Sequence, residues 1–390
     1  MDASPAGTTI STILRHDDKR TSYKIALLRS INDVVLNYPG LATSKQDVAI
    51  PLRRLAERWI AYYWPFVKPG APIDQGQRYS RSNGNRTQDI AFRAELTALR
   101  KTFESDHSHI SGPHVGFFLA DAMRLSRKRH TFSENLISAF ETARRKIRRT
   151  LKMPIRYAGP GQWGVFAKPQ QHYKLGDTVT ALPNTKGTLS CLVIPHALWK
   201  SFQELSLWVE ALCIHEWCLF TERSISEATQ TRGDVFNLLT ARPDNRIGTS
   251  WERNEINIML MEGTSFICPW TGNRLKEETD YDLDHVLPLA VYPINEMWNL
   301  VPADAHFNKH VKRDRIPSAA MLRQAQPSIA STYDQYQTRS ELSDALQEDV
   351  ALRFGLLEPQ DSAFTTDAAR LVTSLVDRIG QYRNVERIDR

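Results

Sequence analysis

One stretch of the sequence constrains the fold of this chain more than any other. It reads DLDHVLPLAVYPINEMWNLVPADAHFNKHVKRDRIP and occupies residues 282–317. Its first residues predict a strand that ends at Asp284 and His285, and an irregular loop follows. WNLVP then predicts a short strand, and ADAHFNKHVKRDR predicts a helix that Pro317 stops. The predicted order is therefore strand, loop, strand, helix.

The segment before this stretch predicts how the Asp-His pair is presented. SFICPWTGNRLKEETDYDLDHVLP is typical of a strand, a turn at Gly272 and Asn273, and a second extended segment that ends at the pair. Strand ends hold side chains rigidly and leave them accessible from the adjoining loop. We therefore expect Asp284 and His285 to lie at an accessible strand end, a position that suits reactive side chains.

The predicted helix also has a side that faces the strands. Apolar residues recur every four positions from Ala303 to Val311 and should pack against the sheet. At 100° per residue Asn308 lies at the margin of this packed face, so its side chain is expected to point toward the Asp-His pair. Lys312, one turn later, shares that side.

These residues resemble the His-Asn-His (HNH) endonuclease motif, which adopts the ββα-metal fold. His285 and Asn299 are 14 positions apart, and Asn299 and Asn308 are 9 apart, a spacing that fits HNH domains. Three separate elements thus agree with the motif in order and in spacing. The matching residues are Asp284-His285, Pro288, Asn299-Leu300, Pro302, Asn308, Lys312 and Pro317.

The resemblance implies a metal site and a general base. Asp284 and Asn308 would supply oxygen ligands to one divalent cation, and such hard ligands favour Mg²⁺ or Mn²⁺. His285 would accept a proton from the water that attacks phosphorus, since its reference pKa of about 6.5 suits neutral pH. A histidine that merely packs in the core is the alternative for His285.

The resemblance also implies supporting roles. Asn299 would brace the loop that orients the general base, rather than touch the metal. The phosphodiester backbone would be held by Lys312, Arg313 and Arg315.

Two departures from the family limit these assignments. Many HNH domains hold a structural zinc with two Cys-x-x-Cys pairs, whereas this chain keeps only Cys268. No structural zinc is therefore expected, and packing by Phe266, Trp270 and Trp298 would replace it. The second departure is that the third signature residue, Asn308, is Asn rather than His, which weakens affinity for transition metals. One extra residue also separates Asn308 from the basic Arg-x-Pro ending.

Other metal-like patterns favour structural interpretations. His306 and His310 have the spacing of a helical zinc pair, but they fall on the predicted solvent side. Cys213, His215, Glu216 and Cys218 cluster on a long predicted helix, where residues five apart do not share a face. Packing in the core is the better interpretation of that helix.

Positive charge is concentrated in one part of the chain. The net charge is +6, yet residues 123–152 contain ten Lys or Arg against two Glu. Such a stretch is typical of a surface that meets phosphate, with a solvated helix face as the alternative. The candidate nucleic-acid contacts here are Arg127, Lys128, Arg129, Arg144, Arg145, Arg148 and Arg149.

The sequence predicts an α+β chain with four regions. Residues 1–152 are expected to be a helical region for recognition or partner binding, and residues 153–263 mix strands and helices. Residues 264–317 would be the ββα-metal nuclease domain. Residues 318–390 predict a helical tail with eight basic and eleven acidic residues, which favours a protein partner over nucleic acid.

The location is expected to be cytoplasmic. The N-terminus lacks a signal-like apolar run, and no apolar segment approaches the ~20 residues needed to cross a bilayer. Four irregularly spaced cysteines do not form a disulfide pattern, which favours a reducing compartment.

The resulting prediction is a metal-dependent HNH endonuclease that hydrolyses DNA, with RNA as the alternative substrate. TSYKIALLRSINDVVLNYP and RWIAYYWPFV resemble the N-terminal region of many bacterial HNH endonucleases, which often occur in anti-phage defence or restriction loci. Protein partners would bind the N-terminal region or the acidic tail. A non-catalytic nucleic-acid-binding or scaffolding subunit that keeps the fold is the alternative from another class.

Overall fold

The computed structural model describes residues 5–81, 84–87, 89–224, 230–241, 249–292, 294–357 and 363–389. The chain divides into two compact units, Met1–Pro243 and Asp244–Arg390. Helices dominate both units, and short sheets accompany them, which confirms the predicted α+β class. Among the described residues, none of the helices has both the length and the apolar character that crossing a bilayer requires.

The first unit is mainly helical, and its elements follow one another in this order: α1 Pro5–Arg15, α2 Tyr23–Asn37, β1 Asp47–Pro51, α3 Leu52–Tyr63, β2 Arg78–Arg81, β3 Gly84–Thr87, α4 Arg93–Asp106, α5 Val115–Ala122, α6 Ser126–Arg129, α7 Glu134–Thr150, α8 Lys152–Tyr157, β4 Gln170–Gln171, β5 Val179–Ala181, β6 Ser190–Ile194, α9 His196–Glu204, α10 Ser206–Ser224 and α11 Arg232–Thr240.

A four-stranded sheet joins distant parts of this unit. Its strand order is β4, β6, β1, β5, with β1 antiparallel to β6 and parallel to β5. The predicted regions 1–152 and 153–263 therefore both contribute strands to one sheet. As functional domains, these two regions remain predictions.

The core of this unit is rich in aromatic residues from α3 and the turn after it. Trp59, Tyr63 and Phe66 are fully buried. The Tyr63 ring packs 5.2 Å from that of Trp217 on α10, so α3 and α10 share this core. These rings bury large apolar areas against each other, which stabilises the packing of α3 against α10.

The second unit carries the predicted catalytic stretch, and its elements are α12 Ser250–Met261, β7 Phe266–Ile267, β8 Arg274–Leu275, β9 Tyr281–His285, β10 Leu300–Asp304, a π-helix Phe307–Lys312, β11 Ile316–Pro317, α13 Ala319–Gln337, α14 Ser340–Phe354, α15 Phe364–Arg383 and β12 Arg387–Ile388.

The predicted order of strand, loop, strand and helix is confirmed. Strands β7 and β8 form a hairpin whose turn includes Gly272 at φ +76°, a conformation that favours glycine. The second extended segment of the prediction divides into β8 and β9, because a short 3₁₀ turn at Glu278–Asp280 interrupts it. Strand β9 then pairs antiparallel with β10.

The C-terminal helices pack against the strands of this unit. The buried side chains of α13 include Tyr333 and Tyr336, and the Tyr336 ring lies 6.2 Å from that of Phe266 on β7. The sequence predicts residues 318–390 to be a helical tail. In the structure, α13 from this region contributes part of the core around the ββα elements.

Candidate active site

The pairing of β9 with β10 sets the positions of the Asp-His pair. Asp284 lies opposite Val301, and His285 lies opposite Leu300 at the end of the strand. Successive residues on a strand point to opposite faces, so the two side chains enter different surroundings. Asp284 is buried, with 5% of its surface exposed, whereas His285 is half-buried.

Both carboxylate oxygens of Asp284 accept hydrogen bonds. Lys312 Nζ donates to Oδ1 at 2.8 Å, and the indole Nε1 of Trp270 donates to Oδ2 at 2.8 Å. The Lys312 ammonium also donates to the backbone oxygen of His285 at 2.8 Å and lies 5.8 Å from the centre of the Trp270 ring. A buried carboxylate is thus matched by a buried cation, as burial of charge requires.

The fully buried position of Lys312 bears on its predicted role. Its ammonium points into the protein toward Asp284, so a direct contact with a phosphodiester would require this ion pair to open. A role in holding the phosphodiester backbone stays a prediction.

The imidazole of His285 contacts the loop that follows β9. Its Nε2 lies 3.3 Å from Asn295 Oδ1, and the His285 ring has further contacts. This contact restrains rotation of the ring, as the predicted role of a general base would require. Sequence reasoning missed Asn295, although the residue lies in the predicted loop.

Asn299 is completely buried and joins both ends of that loop. Its Oδ1 accepts from the backbone nitrogen of Leu287 at 2.7 Å, and its Nδ2 donates to the backbone oxygens of Leu287 and Ile294. The backbone nitrogen of Val286 donates to the backbone oxygen of Asn299 at 2.9 Å. A side chain with these contacts fixes the loop that carries Asn295, as a loop brace would.

The helix after β10 begins at a capped turn. Asp304 Oδ1 accepts from the backbone nitrogen of Phe307 at 2.9 Å, and Oδ2 accepts from Asn273 at 3.1 Å. The hydrogen bond from the Phe307 amide holds the pKa of Asp304 below its usual value. The backbone nitrogen of Asp304 donates to the Cys268 sulfur at 3.2 Å, so the remaining cysteine ties the β7–β8 hairpin to this cap.

The helix itself is a π-helix from Phe307 to Lys312. The backbone nitrogen of Arg313 donates to the Asn308 oxygen at 2.9 Å, five residues back. A π-helical turn accommodates one residue more than an α-helical turn. This accounts for the extra residue between Asn308 and the Arg-x-Pro ending, and it allows Lys312 to reach Asp284.

The other predicted side chains of this helix have varied environments. Asn308 is half-buried, and within the described part of the chain its side chain makes no hydrogen bond. His306 and His310 are exposed, with ring centres 4.8 Å apart, on the side that the sequence predicts.

The basic ending divides into an exposed and a restrained residue. Arg313 is exposed and has φ +52°, an uncommon conformation for a residue with a side chain. Arg315 is half-buried, since it donates to the backbone oxygen of Val311 and lies 3.4 Å from Glu386. Arg313 therefore has the greater freedom to contact a ligand.

In the first unit, helix α7 separates its predicted basic residues into two groups. Arg144 lies 3.0 Å from the buried Glu57 and also pairs with Glu141. Burial alone would raise the pKa of Glu57, but nearby guanidinium groups, Arg54 first and Arg144 among them, outweigh it and lower the pKa. Arg144 is thus part of a structural ion-pair cluster.

The other predicted contacts on α7 form an exposed stripe. Arg145 lies three positions before Arg148 and four before Arg149, and all three are exposed on one face of the helix. The opposite face buries Leu136, Phe140, Ala143 and Ile147. We name these three arginines the α7 stripe.

The shorter helix α6 carries the other predicted contacts. Lys128 and Arg129 are exposed, Arg127 is half-buried, and Arg129 lies 3.8 Å from Glu141. Lys128 and Arg129 are therefore exposed, whereas Arg144 is half-buried and pairs with Glu57 and Glu141.

Comparisons with known families agree with this geometry. The family described as HNH endonuclease matches residues 268–318. The family described as a domain of unknown function, DUF8808, matches residues 3–239, more than half of the chain. The chain belongs to the DUF8808 family. No curated protein and no solved structure matches it.

This DUF8808 protein therefore carries an HNH endonuclease domain in its second unit. The match begins at Cys268 and ends at Ser318, so it includes the β7–β8 turn, both strands of the Asp-His sheet and the π-helix. The HNH domain places the protein among the nucleases, hydrolases that act on nucleic acid and generally use a divalent metal.

The donors in this domain fit a hard cation. Among the residues that the structure describes, no three His, Cys, Asp or Glu side chains form a metal-binding group. With Asp284 and Asn308 as its ligands from the chain, as the resemblance implies, a cation would take its other oxygens from water and phosphate, which is how Mg²⁺ is commonly held. Lys312 and Trp270 use two of about four lone pairs on Asp284, so acceptor capacity remains.

Proposed function

We propose that this protein is a metal-dependent endonuclease that hydrolyses DNA phosphodiester bonds. The observation that carries the proposal is the position of buried Asp284 and half-buried His285 as successive residues at the end of β9, inside a domain that matches HNH endonucleases. A buried carboxylate next to an accessible imidazole suits a site that holds a charge and moves a proton.

In this proposal, His285 is the general base. It accepts a proton from the water that attacks phosphorus, and Asn295 restrains its ring at 3.3 Å. Asn299 keeps the loop between the strands in place through its three side-chain hydrogen bonds. Lys312 holds the Asp284 carboxylate as its counter-ion.

Asp284 and Asn308 would hold the divalent cation, Mg²⁺ or Mn²⁺. Such a cation, when bound, stabilises negative charge on the phosphoryl oxygens. Water and phosphate oxygens would complete its coordination, since bound Mg²⁺ usually keeps several such ligands.

Substrate binding is proposed to use exposed basic residues. The α7 stripe and the α6 residues Lys128 and Arg129 support contacts with a phosphate backbone in the first unit. Arg313 would serve the same purpose beside the catalytic residues. A role in bacterial anti-phage defence or restriction, in the cytoplasm and under the control of a protein partner, is proposed from the resemblance of the motifs to such nucleases.

The decisive experiment compares cleavage of plasmid DNA by three proteins in Mg²⁺ or Mn²⁺. The His285→Ala variant is expected to lose about 10²- to 10⁴-fold in rate, the range for removal of a general base. The His306→Ala variant removes an exposed histidine of the same domain and is expected to cut like the wild type. RNA substrates assayed in parallel decide between DNA and RNA.

Two results would contradict the proposal. Equal cutting by the wild type and the His285→Ala variant would mean that another residue or a contaminant acts. Salt-dependent DNA binding without cleavage under any metal condition would favour the non-catalytic nucleic-acid-binding subunit instead.

A further inference from the structure

Residues 296–300 form a segment in which all residues except Asn299 are held by hydrogen bonds or an ion pair from outside the matched HNH domain. We name them the brace segment, because Asn299 lies within it. Helices α13 and α14, which supply the contacts, begin after Ser318, where the HNH match ends. The site therefore depends on residues that the HNH motif does not contain.

Helix α14 holds the beginning of the brace segment. Asp349 Oδ2 accepts from the backbone nitrogen of Met297 at 2.6 Å. One turn further along, Arg353 forms an ion pair with Glu296, and its Nε lies 3.0 Å from Glu296 Oε2. The Glu296 carboxylate also accepts from the indole of Trp298. Both the backbone and the side chains of the segment are thus fixed.

Helix α13 holds the end of the brace segment. The Tyr333 hydroxyl donates to the backbone oxygen of Trp298 at 2.5 Å, and the Tyr336 hydroxyl donates to that of Leu300 at 3.1 Å. Burial raises the pKa of Tyr333, so its hydroxyl stays protonated and remains a donor.

These contacts are more specific than packing alone requires. Asp349 is completely buried, and a buried carboxylate destabilises a fold unless it is paired or hydrogen-bonded. Its hydrogen bond with the Met297 amide is charge-assisted, which makes it shorter and stronger than a neutral one. An apolar residue would fill the same space without fixing the position of the Met297 backbone.

The brace segment connects these helices to the proposed general base. Asn299 within the segment binds Leu287 and Ile294, which bound the loop, and Asn295 precedes the segment and contacts His285. Met297 lies two positions after Asn295, so a displacement of the Met297 backbone would shift the residue that contacts the His285 imidazole.

We propose that Asp349 and Tyr333 are positioning residues for the nuclease reaction, acting through the brace segment on His285. This inference rests on the proposed function of the HNH site. Neither residue touches the reacting atoms; each fixes a backbone group whose place determines where the imidazole lies.

Steady-state kinetics on DNA test the proposal with Asp349→Ala, Asp349→Asn and Tyr333→Phe. The alanine variant is expected to lose about 10- to 100-fold in kcat with KM nearly unchanged, the range for lost support of a catalytic group. The asparagine variant keeps an oxygen acceptor for the Met297 amide and should recover kcat to within about threefold of the wild type. Tyr333→Phe keeps the ring but removes the hydroxyl, and it should lower kcat without changing KM.

The control is Val350→Ala, which shortens a buried residue next to Asp349. It should lower the Tm, as the Asp349 variant does, but leave kcat unchanged at temperatures well below unfolding. If Asp349→Ala and Tyr333→Phe also retain kcat, their roles are merely structural and the proposal fails. If Asp349→Ala does not fold, Tyr333→Phe decides alone.

Amide hydrogen exchange separates this proposal from the nuclease proposal. In the Asp349→Ala and Tyr333→Phe proteins, the amides of Val286 and Leu287, which bond to Asn299, should exchange about tenfold faster than in the wild type. If these exchange rates are unchanged in the variants, Asp349 and Tyr333 do not hold the brace segment and the positioning proposal fails. If the wild type is inactive but the variants exchange faster, the nuclease proposal fails and the role of Asp349 and Tyr333 in holding the brace segment stands.

Discussion

Two basic helices of this protein use their positive charges in opposite ways. The α7 stripe lies on the exposed face of an amphipathic helix, whereas the basic residues of the π-helix and its ending are partly withdrawn from solvent. Lys312 is fully buried against Asp284, and Arg315 contacts a backbone oxygen. A run of Lys and Arg in the sequence therefore does not reveal how many of its charges can meet a ligand.

The difference has a physical cause. On α7, the apolar residues Leu136, Phe140 and Ile147 occupy one face, so the arginines of the α7 stripe are directed outward from the opposite face. In the HNH domain, a buried carboxylate requires a cation, and the π-helix brings one to it. The positive charges of the α7 stripe are thus exposed to solvent, whereas the charge of Lys312 neutralises a buried carboxylate.

The largest expected effect comes from removing the buried cation. Among the described residues, Lys312→Met leaves buried Asp284 with the Trp270 indole as its one side-chain donor, and it should lower the free energy of unfolding by about 3–5 kcal/mol. Arg148→Met on the α7 stripe should change it by less than about 0.5 kcal/mol. Urea unfolding of both variants measures the two losses in free energy of unfolding. Equal losses would contradict the proposed difference between the buried and the exposed charge.

A double variant sharpens this result. Asp284→Leu combined with Lys312→Met removes both charges, so it should recover much of the stability that Lys312→Met loses. No recovery would mean that the lysine contributes through packing rather than through its charge.

A second prediction concerns DNA affinity. Replacing all three arginines of the α7 stripe by Gln should weaken binding by roughly 10- to 100-fold at physiological salt, with a salt dependence reduced by about 0.9 for each lost phosphate contact. Fluorescence anisotropy over a range of salt concentrations measures both quantities. Arg144→Gln, by contrast, should affect stability through Glu57 and leave the salt dependence unchanged.

The matched control for the stripe removes the same charge from other exposed positions of the first unit. If its affinity falls as much, net charge explains the effect and the stripe has no special role. The control variant replaces Lys101, Lys168 and Lys186 by Gln.

The smallest expected effect lies at the cap of the π-helix. Asp304→Ala removes the acceptor of the Phe307 amide and should lower stability by about 1 kcal/mol at neutral pH. The folded-state pKa of Asp304 lies below its unfolded value, so this contribution is present above an unfolded pKa of about 3.9 and is lost as pH falls further. Denaturant unfolding at pH 7 and at pH 3 should show the variant's deficit shrinking in acid.

Much of the HNH domain was predictable because its signals are local. The alternation and the turn residues around Gly272 predicted the strands, and the spacing from His285 to Asn308 predicted the motif. Phe266, Trp270 and Trp298 are buried, as expected from packing in a domain that keeps a single cysteine. The hydrogen bond from Trp270 to Asp284 had no sequence signal, since a tryptophan predicts burial and not a partner.

The sequence by itself determined which groups the protein has, their order along the chain and the amphipathic faces of its helices, because these follow from the fixed periods of strands and helices. Tertiary structure alone decided that Lys312 neutralises Asp284 and that Asp349, 52 residues after Met297, holds the brace segment. Such contacts depend on how strands and helices pack after the chain closes on itself. No local period encodes a pairing between residues so far apart.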